Sequence, residues 1–414
     1  MTRRRTVLTT LAAALLAGMP IAAQAQGFTD SEILIGFHGP MTGPASWVGL
    51  GARDGALLAL EEINAAGGIH GRKIKLVPYD DGGKASEAEA VAKKMIQNDK
   101  VFAILGGGVS ATTIPTAEVA HAEKVPYLNG PGASPKIMDL KSRWVFSGAT
   151  IDVRDISENS TDFIGGYLKA KTIAVINGTD EFSQSLTDSV LKGVKERYGA
   201  NVVAHQKFNS GDTDFSSQLI ELRKANPDLI LVFGLYVEAA RVVRQARELG
   251  IKTPMKGDTS TMNKGFLTIA GPAAEGFYST YVPLYFNGDP AKDMVEFEAR
   301  YKKMYPRYPA DRPNYVDVYN YGTMYALAEG LKRMGPKPDR RKLVEALETL
   351  DNWKASDTFK GALHIIQPLT FTQSHNGNRR TSDFRIVGGQ YRRIDDYKPP
   401  QPTTKFPPNA TLNW

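Results

Sequence analysis

The sequence contains no cysteine. It can therefore form neither disulfides nor thiolate metal sites, and it offers no cysteine nucleophile and no cysteine for lipid attachment. Histidine is also scarce, and no two histidines stand at the spacing of a metal-binding pair. We therefore expect neither a metal site nor a cofactor. The six histidines are His38, His70, His121, His205, His364 and His375.

Signatures of common catalytic loops are missing as well. There is no Gly-x-Ser-x-Gly elbow, no Walker loop and no His-Glu-x-x-His helix. The sequence thus indicates a protein that is not an enzyme. A secreted hydrolase whose serine, histidine and aspartate come from distant segments remains an alternative, and turnover of esters and amides would reveal it.

The chain also lacks a strong excess of charge. Its formal net charge of +7 falls to +4 without Arg3, Arg4 and Arg5, because residues 1–25 contain no acidic side chain. So small and dispersed a charge argues against a nucleic-acid partner. A hydrophobic content of 42% in 414 residues is enough for two cores.

The first 25 residues predict an export signal. Arg3-Arg4-Arg5, the apolar run 7–17 and Ala23-Gln24-Ala25 are its charged, hydrophobic and small-residue regions, with cleavage after Ala25. Polar residues interrupt the run, which makes it too short for a membrane anchor. We therefore expect a mature protein in the periplasm that is not inserted in the membrane. Because Arg4-Arg5-Thr6-Val7-Leu8 resembles a twin-arginine signal, that route and general secretion both stay open.

From residue 31 onward, short apolar runs alternate with amphipathic helical patterns. This alternation is typical of a parallel sheet covered by helices on both faces. One series extends to about residue 147, and a second with the same order of elements covers 153–249. The sequence predicts an α/β fold of two similar, doubly wound lobes with parallel-type sheets, joined by a multi-strand hinge.

The later segments are assigned to these two lobes. Tyrosine-rich helical patterns near 293–305 and 316–334 contain too few strands for a third lobe, so we expect them to cover the first. Lobe 1 is predicted to comprise 26–148 and 282–360, and lobe 2 to comprise 149–281 and 361–397. The proline-rich tail, 398–414, is expected to be extended.

A glycine-rich turn follows the apolar run 101–105. Gly106, Gly107 and Gly108 precede a helical pattern, which places Ser110 at the helix N-cap. The first amide groups of a helix have no intrahelical partner and the helix dipole is positive there, so a carboxylate would be stabilised. The plain alternative is that Ser110 only caps its own helix.

Open α/β sheets bind ligands in the loops at the carboxyl ends of their strands. Those loops are rich in glycine, hydroxyl groups and aromatic rings and poor in charge, which suits a small ligand with a carboxylate and an apolar body. In the first lobe they are 38–47, 80–83, 106–110 and 130–134, and in the second 177–182, 234–236 and 257–260.

Six short motifs carry a resemblance to a known family. They are Met41-Thr42-Gly43-Pro44, residues 61–69 (EEINAAGGI), Tyr79-Asp80-Asp81, Pro131-Gly132-Ala133-Ser134-Pro135, Asp214-Phe215-Ser216 and residues 244–250 (RQARELG). In residue types and in order along the chain, these motifs resemble those of the leucine/isoleucine/valine-binding proteins, the type I periplasmic receptors of branched-chain-type ABC transporters. The resemblance extends from about residue 31 to 397.

The resemblance implies a carboxylate site on the first lobe. The carboxylate-binding serine of the family falls on Ser110, and its further carboxylate contacts fall on Gly132 and Ser134. An aromatic residue near the first loop falls on Val48, and the adjacent Trp47 is our candidate for an apolar lid. A core role for Trp47 is the alternative.

On the second lobe the chain departs from the amino-acid pattern. Phe182 and Leu235 replace tyrosines, and Tyr236 stands beside Leu235. The acidic residue that pairs with the α-ammonium of an amino acid falls on Thr259, although Asp258 would restore the pairing after a shift of one residue. Because a desolvated ammonium without a counter-charge costs several kcal/mol, we expect an apolar or aromatic carboxylic acid, with a branched-chain or aromatic amino acid as the alternative.

The resemblance also implies the role and the partner. We expect a monomeric solute-binding protein that closes by hinge bending, brings Phe182, Leu235, Tyr236 and Thr259 over the ligand and delivers it to a membrane permease. A ligand-sensing receptor subunit is a further alternative. The disulfide of the family is absent, since its positions are Gly83 and Val109.

Overall fold

The computed structural model describes residues 26–148, 150–281, 292–309, 312–377, 381–399 and 403–414. The predicted export signal, 1–25, lies outside the described residues, as does the start of the segment predicted to return to the first lobe, 282–291. Within the described ranges, no helix is both long and apolar enough to cross a membrane.

The first lobe is built around five strands that alternate with helices. They are β1 (Glu32–Gly39), α1 (Ser46–Ala65), β2 (Lys73–Asp80), α2 (Ala85–Gln97), β3 (Ala103–Gly106), α3 (Ser110–Ala122), β4 (Tyr127–Asn129), α4 (Pro135–Asp139) and β5 (Val145–Ser147). All pairs are parallel, in the order β2-β1-β3-β4-β5. Helices on both faces bury side chains of both orientations, which is why β3, β4 and β5 are buried at every position.

The second lobe repeats this alternation. It contains α5 (Val153–Asp162), β6 (Thr172–Gly178), α6 (Glu181–Tyr198), β7 (Asn201–Phe208), α7 (Ser216–Lys224), β8 (Leu229–Phe233), α8 (Tyr236–Glu248), β9 (Met255–Lys256), α9 (Lys264–Ala270) and β10 (Tyr278–Tyr281). A π-helical stretch, Phe163–Tyr167, follows α5.

Four helices then return to the first lobe. They are α10 (Lys292–Met304), α11 (Tyr315–Met334), α12 (Arg340–Leu347) and α13 (Ala355–Thr358). Helix α11 is buried on nearly all sides and packs along α1. The approach is so close that a Cβ on Gly55 would lie 1.9 Å from the carbonyl oxygen of Asp317. Glycine at this position therefore permits the helix contact.

The chain ends its second sheet with an antiparallel hairpin, β11 (Ser382–Val387) and β12 (Gln390–Arg393). Strand β11 pairs with β10, which gives the order β12-β11-β10-β9-β8-β6-β7. The remaining pairs are parallel. The predicted α/β fold of two doubly wound lobes is confirmed, and the hairpin adds two antiparallel strands that the sequence did not predict.

Residues 361–377 pack against the first lobe, although the sequence assigned them to the second. The N–H of Ser147 donates to the carbonyl of His375 at 2.8 Å, and the N–H of Gly377 donates to the carbonyl of Ser147 at 3.0 Å. The His375 ring stacks on Phe146, with ring centroids 3.7 Å apart. The boundary predicted at residue 361 is therefore too early, because this segment completes the first core before the chain crosses.

Candidate ligand-binding cleft

A cleft lies between the lobes, at the carboxyl ends of the parallel strands. Its walls come from the segments after β1, β3 and β4 on one side and after β6, β8 and β9 on the other. Its empty volume is about 520 Å³, including the part open to solvent. The cleft therefore lies where open α/β sheets bind their ligands.

The turn between β3 and α3 sets one wall of the cleft. Gly106 and Gly107 have φ angles of 106° and 110°, which residues with a Cβ rarely adopt. A Cβ at Gly106 would also lie 2.5 Å from the Phe37 ring. Glycine is therefore required for the sharp turn that places Ser110 in the cleft lining.

Ser110 is the first residue of α3, and Val109 is the N-cap, so the predicted cap position is wrong by one residue. The Ser110 Oγ accepts the backbone N–H groups of Ala133 at 3.2 Å and Ser134 at 3.1 Å. Within the described part of the chain its own proton has no acceptor. The Ser110 hydroxyl and the first amide groups of α3 are thus donors suited to an anion.

The two other residues expected at the carboxylate are engaged within the protein. The Gly132 N–H donates to Asn129 Oδ1 at 3.1 Å, and the Ser134 N–H donates to Ser110. The Ser134 hydroxyl donates to Glu181 of the second lobe at 2.9 Å. Neither Gly132 nor Ser134 is part of the cleft lining. They order the loop that packs against Ser110.

An aromatic cluster joins the two lobes beside the cleft. The ring of Trp47 contacts Tyr236 of the second lobe edge-on, with centroids 4.7 Å apart, and it contacts Tyr315 at 5.9 Å. Tyr281 packs against both Tyr315 and Tyr319. Such contacts contribute roughly 0.5–1.5 kcal/mol each beyond the burial of area. Trp47 and Tyr236 therefore hold the lobes together next to the site.

Tyr315 and Tyr319 line the cleft and were not predicted from the sequence. They lie four residues apart on one face of α11, whose start is fixed by the capping box of Asn314 and Asp317. Burial raises the pKa of both phenols, so both are neutral hydroxyl groups at neutral pH. The sequence signal that could have identified these two tyrosines is their four-residue spacing at the start of a capped helix.

The second lobe contributes Phe182, Leu235 and Thr259 to the lining. These three positions follow three different strands of one parallel sheet, so the fold brings them to a common edge. Tyr236 and Asp258 are their neighbours in the chain and do not line the cleft.

Asp258 is fully buried and is turned toward the backbone. Its carboxylate accepts the N–H of Gly234 at 3.0 Å and the N–H of Ser260 at 2.7 Å. Burial raises the pKa of Asp258 to about 6, and these hydrogen bonds partly oppose the rise. The carboxylate thus ties two loops of the second lobe together, while Thr259 and Ser260 line the cleft.

The described lining carries no charged side chain. Among the residues that the structure describes, no cluster of three or more histidine, cysteine, aspartate or glutamate residues could hold a metal. The cleft therefore combines hydroxyl groups with an apolar space, and of these hydroxyls Ser260 donates to the Gly234 carbonyl and Thr150 to the Pro131 carbonyl. The hydroxyl groups belong to Ser110, Thr150, Thr259, Ser260, Tyr315 and Tyr319, and the apolar surface to Val48, Val109, Pro131, Ala133, Ile151, Ile156, Phe182 and Leu235.

Comparisons with known proteins agree with this architecture. A family model described as periplasmic binding protein matches residues 32–388. The leucine-, isoleucine-, valine-, threonine- and alanine-binding protein of Pseudomonas aeruginosa is 30% identical over 336 residues, which cover 80% of this chain and 87% of that protein.

Two solved structures resemble the chain over most of its length. The leucine-binding protein LivK from Thermotoga maritima has a TM-score of 0.73 and 25% identity, covering 87% of this chain and 97% of its own. A solute-binding protein of an ABC transporter from Rhodopseudomonas palustris BisB5, in complex with 3,4-dihydroxybenzoic acid, has a TM-score of 0.75 and 21% identity, covering 89% and 99%. The second likeness shows the shared fold alone. With its two α/β lobes and intervening cleft, the chain belongs to the type I periplasmic binding proteins of the branched-chain amino acid family.

Proposed function

We propose that the protein is the exported solute-binding component of an ABC transporter and that it captures a small apolar or aromatic carboxylic acid in the cleft. Membership of the family supports the transport role and a membrane permease as partner. The observation that carries the ligand class is the uncharged second-lobe wall, where Thr259 and Ser260 line the cleft and Asp258 does not.

An α-amino acid would bring an ammonium group into this cleft. A desolvated ammonium without a counter-charge costs several kcal/mol. The Asp258 carboxylate is occupied by two backbone amides, and moving it into the cleft would leave the N–H groups of Gly234 and Ser260 without their acceptor. A plain carboxylic acid avoids both costs.

The opposite end of the cleft supports an anionic group. The Ser110 hydroxyl and the positive end of α3 are suited to a carboxylate, and each charge-assisted hydrogen bond contributes roughly 1.5–3 kcal/mol. Micromolar affinity requires about 8 kcal/mol. Two or three such bonds, with burial of a ring or branched chain, supply it after the cost of immobilisation.

Hinge closure completes the proposed mechanism. Ser134 and Trp47 of the first lobe contact Glu181 and Tyr236 of the second, so the lobes meet on two sides of the site. Opening the hinge would break both contacts and admit a ligand. We propose that the protein works in the periplasm as a monomer, and small-angle scattering should show its radius of gyration fall when a ligand saturates it.

Calorimetric titration with matched ligand pairs tests the ligand class. L-Phenylalanine and 3-phenylpropanoate differ only by the α-ammonium, and so do L-leucine and 4-methylpentanoate. We expect the plain acid of at least one pair to bind about tenfold more tightly than its amino acid, a difference of about 1.4 kcal/mol. Tighter binding of both amino acids would reject the proposed class.

Binding of a branched-chain or aromatic amino acid is the second candidate. The observation in its favour is the Pseudomonas aeruginosa relative at 30% identity, which is named for five amino acids. The same titrations separate the two candidates.

A further inference from the structure

The tail of the chain, residues 398–414, lies beyond the segment that matches the family model, 32–388. Its described parts are 398–399 and 403–414. These parts are extended apart from a 3₁₀ turn at Asn409–Thr411. Its contacts nevertheless reach both lobes.

The second lobe holds the start of the tail through α5. The Glu158 carboxylate accepts the N–H and the hydroxyl of Thr403 at 2.8 and 2.6 Å and the hydroxyl of Thr404 at 2.9 Å. Burial would raise the pKa of Glu158, but these hydrogen bonds lower it, so the carboxylate is ionised at neutral pH. Helix α5 belongs to the second lobe, since its Asn159 donates to Asp383 of β11.

The first lobe holds the other end of the tail. Asn413 donates its N–H to the Lys141 carbonyl, and its own carbonyl accepts the N–H of Arg143, both at 2.8 Å. The Trp414 ring meets Trp144 edge-on at 5.4 Å, and the Arg143 guanidinium lies 4.1 Å from the Trp414 ring centre. This end is therefore anchored by backbone pairing and by aromatic contact.

Between these anchors, Phe406 lies where the two lobes meet. It is buried in the same apolar cluster as Ile137 and Met138 of α4. The guanidinium of Arg154, at the start of α5, lies 4.7 Å from the Phe406 ring and also pairs with Asp139 of α4 at 2.8 Å. The tail thus bridges α5 and α4 beside the crossing from the first lobe to the second.

We propose that residues 403–414 form a strap across the hinge that stabilises the closed arrangement of the lobes. Glu158 lies more than one turn into α5, so rotation of the second lobe changes its separation from Trp144. The anchors at Glu158 and Trp144 are both made while Trp47 touches Tyr236 across the cleft. Contacts made in only one of two arrangements shift the population toward that arrangement.

Distance measurements between spin labels test the strap. Because the chain contains no cysteine, the exposed positions of Glu87→Cys on α2 and Asp188→Cys on α6 allow selective labelling of the two lobes. Double electron–electron resonance on the full chain without added ligand would compare Glu158→Ala, Trp414→Ala and their combination. The control is Glu221→Ala, since Glu221 is exposed and pairs with Lys224 on its own helix.

In each variant we expect the distribution of distances between the two spin labels to shift toward longer distances, to a similar extent. The double variant should shift the distances little further than either single variant, because releasing either end releases the strap. Independent contacts would instead give additive shifts. With 3-phenylpropanoate as the probe, the dissociation constant should rise about threefold to tenfold in each variant. The Glu221→Ala control should leave the distances unchanged.

Unchanged distances in Glu158→Ala would overturn the strap, because this variant removes only the second-lobe anchor. A shift in Trp414→Ala alone would overturn it too, since that pattern reports local packing of the first lobe. If Trp414→Ala does not fold, Glu158→Ala still decides. The distance measurement needs no ligand, so its failure is distinct from failure of the proposed ligand class.

Discussion

Ser134 of the first lobe donates its hydroxyl to a carboxylate oxygen of Glu181 in the second lobe, at 2.9 Å. The ammonium of Lys136 pairs with the other oxygen at 3.0 Å. Ser134 is the N-cap of α4, and Glu181 is the first residue of α6. One carboxylate therefore joins the starts of two helices, where a negative charge is favourable. A side chain expected at the ligand instead connects the lobes.

Removing this connection should weaken ligand binding without changing the cleft lining. For Glu181→Ala we expect the dissociation constant of 3-phenylpropanoate to rise about threefold to tenfold, since a partly exposed pair contributes only about 1 kcal/mol. Added salt should reduce the difference in dissociation constant between Glu181→Ala and the wild type. Calorimetry at two salt concentrations measures both effects. Glu196→Ala, at an exposed site near the other end of α6, is the control, and equal losses in the two variants would contradict the prediction.

Ser110→Ala should have a larger effect that depends on the charge of the ligand. The substitution removes a donor facing the cleft and the acceptor of the Ala133 and Ser134 amides. We expect the affinity for 3-phenylpropanoate to fall at least about tenfold, which corresponds to about 1.4 kcal/mol of binding free energy. Titration with its neutral amide should show a smaller loss, because a charge-assisted bond is stronger than a neutral one. Equal losses for acid and amide would disprove the role of Ser110 as carboxylate anchor.

The alternation of elements was predictable because burial on both faces leaves a strong pattern. Both predicted series of alternating elements, up to about residue 147 and over 153–249, are observed. The hairpin of β11 and β12 was not predicted, since its strands mix polar and apolar residues at a sheet edge. Periodicity carries no information about which lobe receives residues 361–377.

The candidate site was predictable where it depends on loops at strand ends. Ser110, Phe182 and Leu235 lie in the lining for that reason. Tyr315 could not be placed, because its helix returns to the cleft from a distant part of the chain. Asp258 could not be assigned its role, since its carboxylate is occupied by the N–H of Gly234, 24 residues away.

Thr259→Glu should move the ligand preference toward amino acids. The new carboxylate would lie in the cleft lining and offer the counter-charge that an α-ammonium needs. We expect the affinity ratio of L-phenylalanine to 3-phenylpropanoate to rise at least about tenfold, about 1.4 kcal/mol. Thr259→Gln, which has the same shape without the charge, is the control. If both variants change the ratio equally, charge at this position does not select the ligand.

Asp258 should make the stability of the protein pH-dependent. Burial raises its pKa from the ordinary 3.8 to about 6, so between these values the folded protein holds a proton that the unfolded chain has released. The contribution of Asp258 to the free energy of unfolding therefore falls as the pH rises through that window, by about 3 kcal/mol in all. Asp258→Asn removes the titration, and Asp188→Asn, at an exposed site, is the control. Urea unfolding from pH 4 to pH 7 should show a steeper fall for the wild type and the control than for Asp258→Asn. Parallel profiles in all three proteins would show that Asp258 does not titrate in this window.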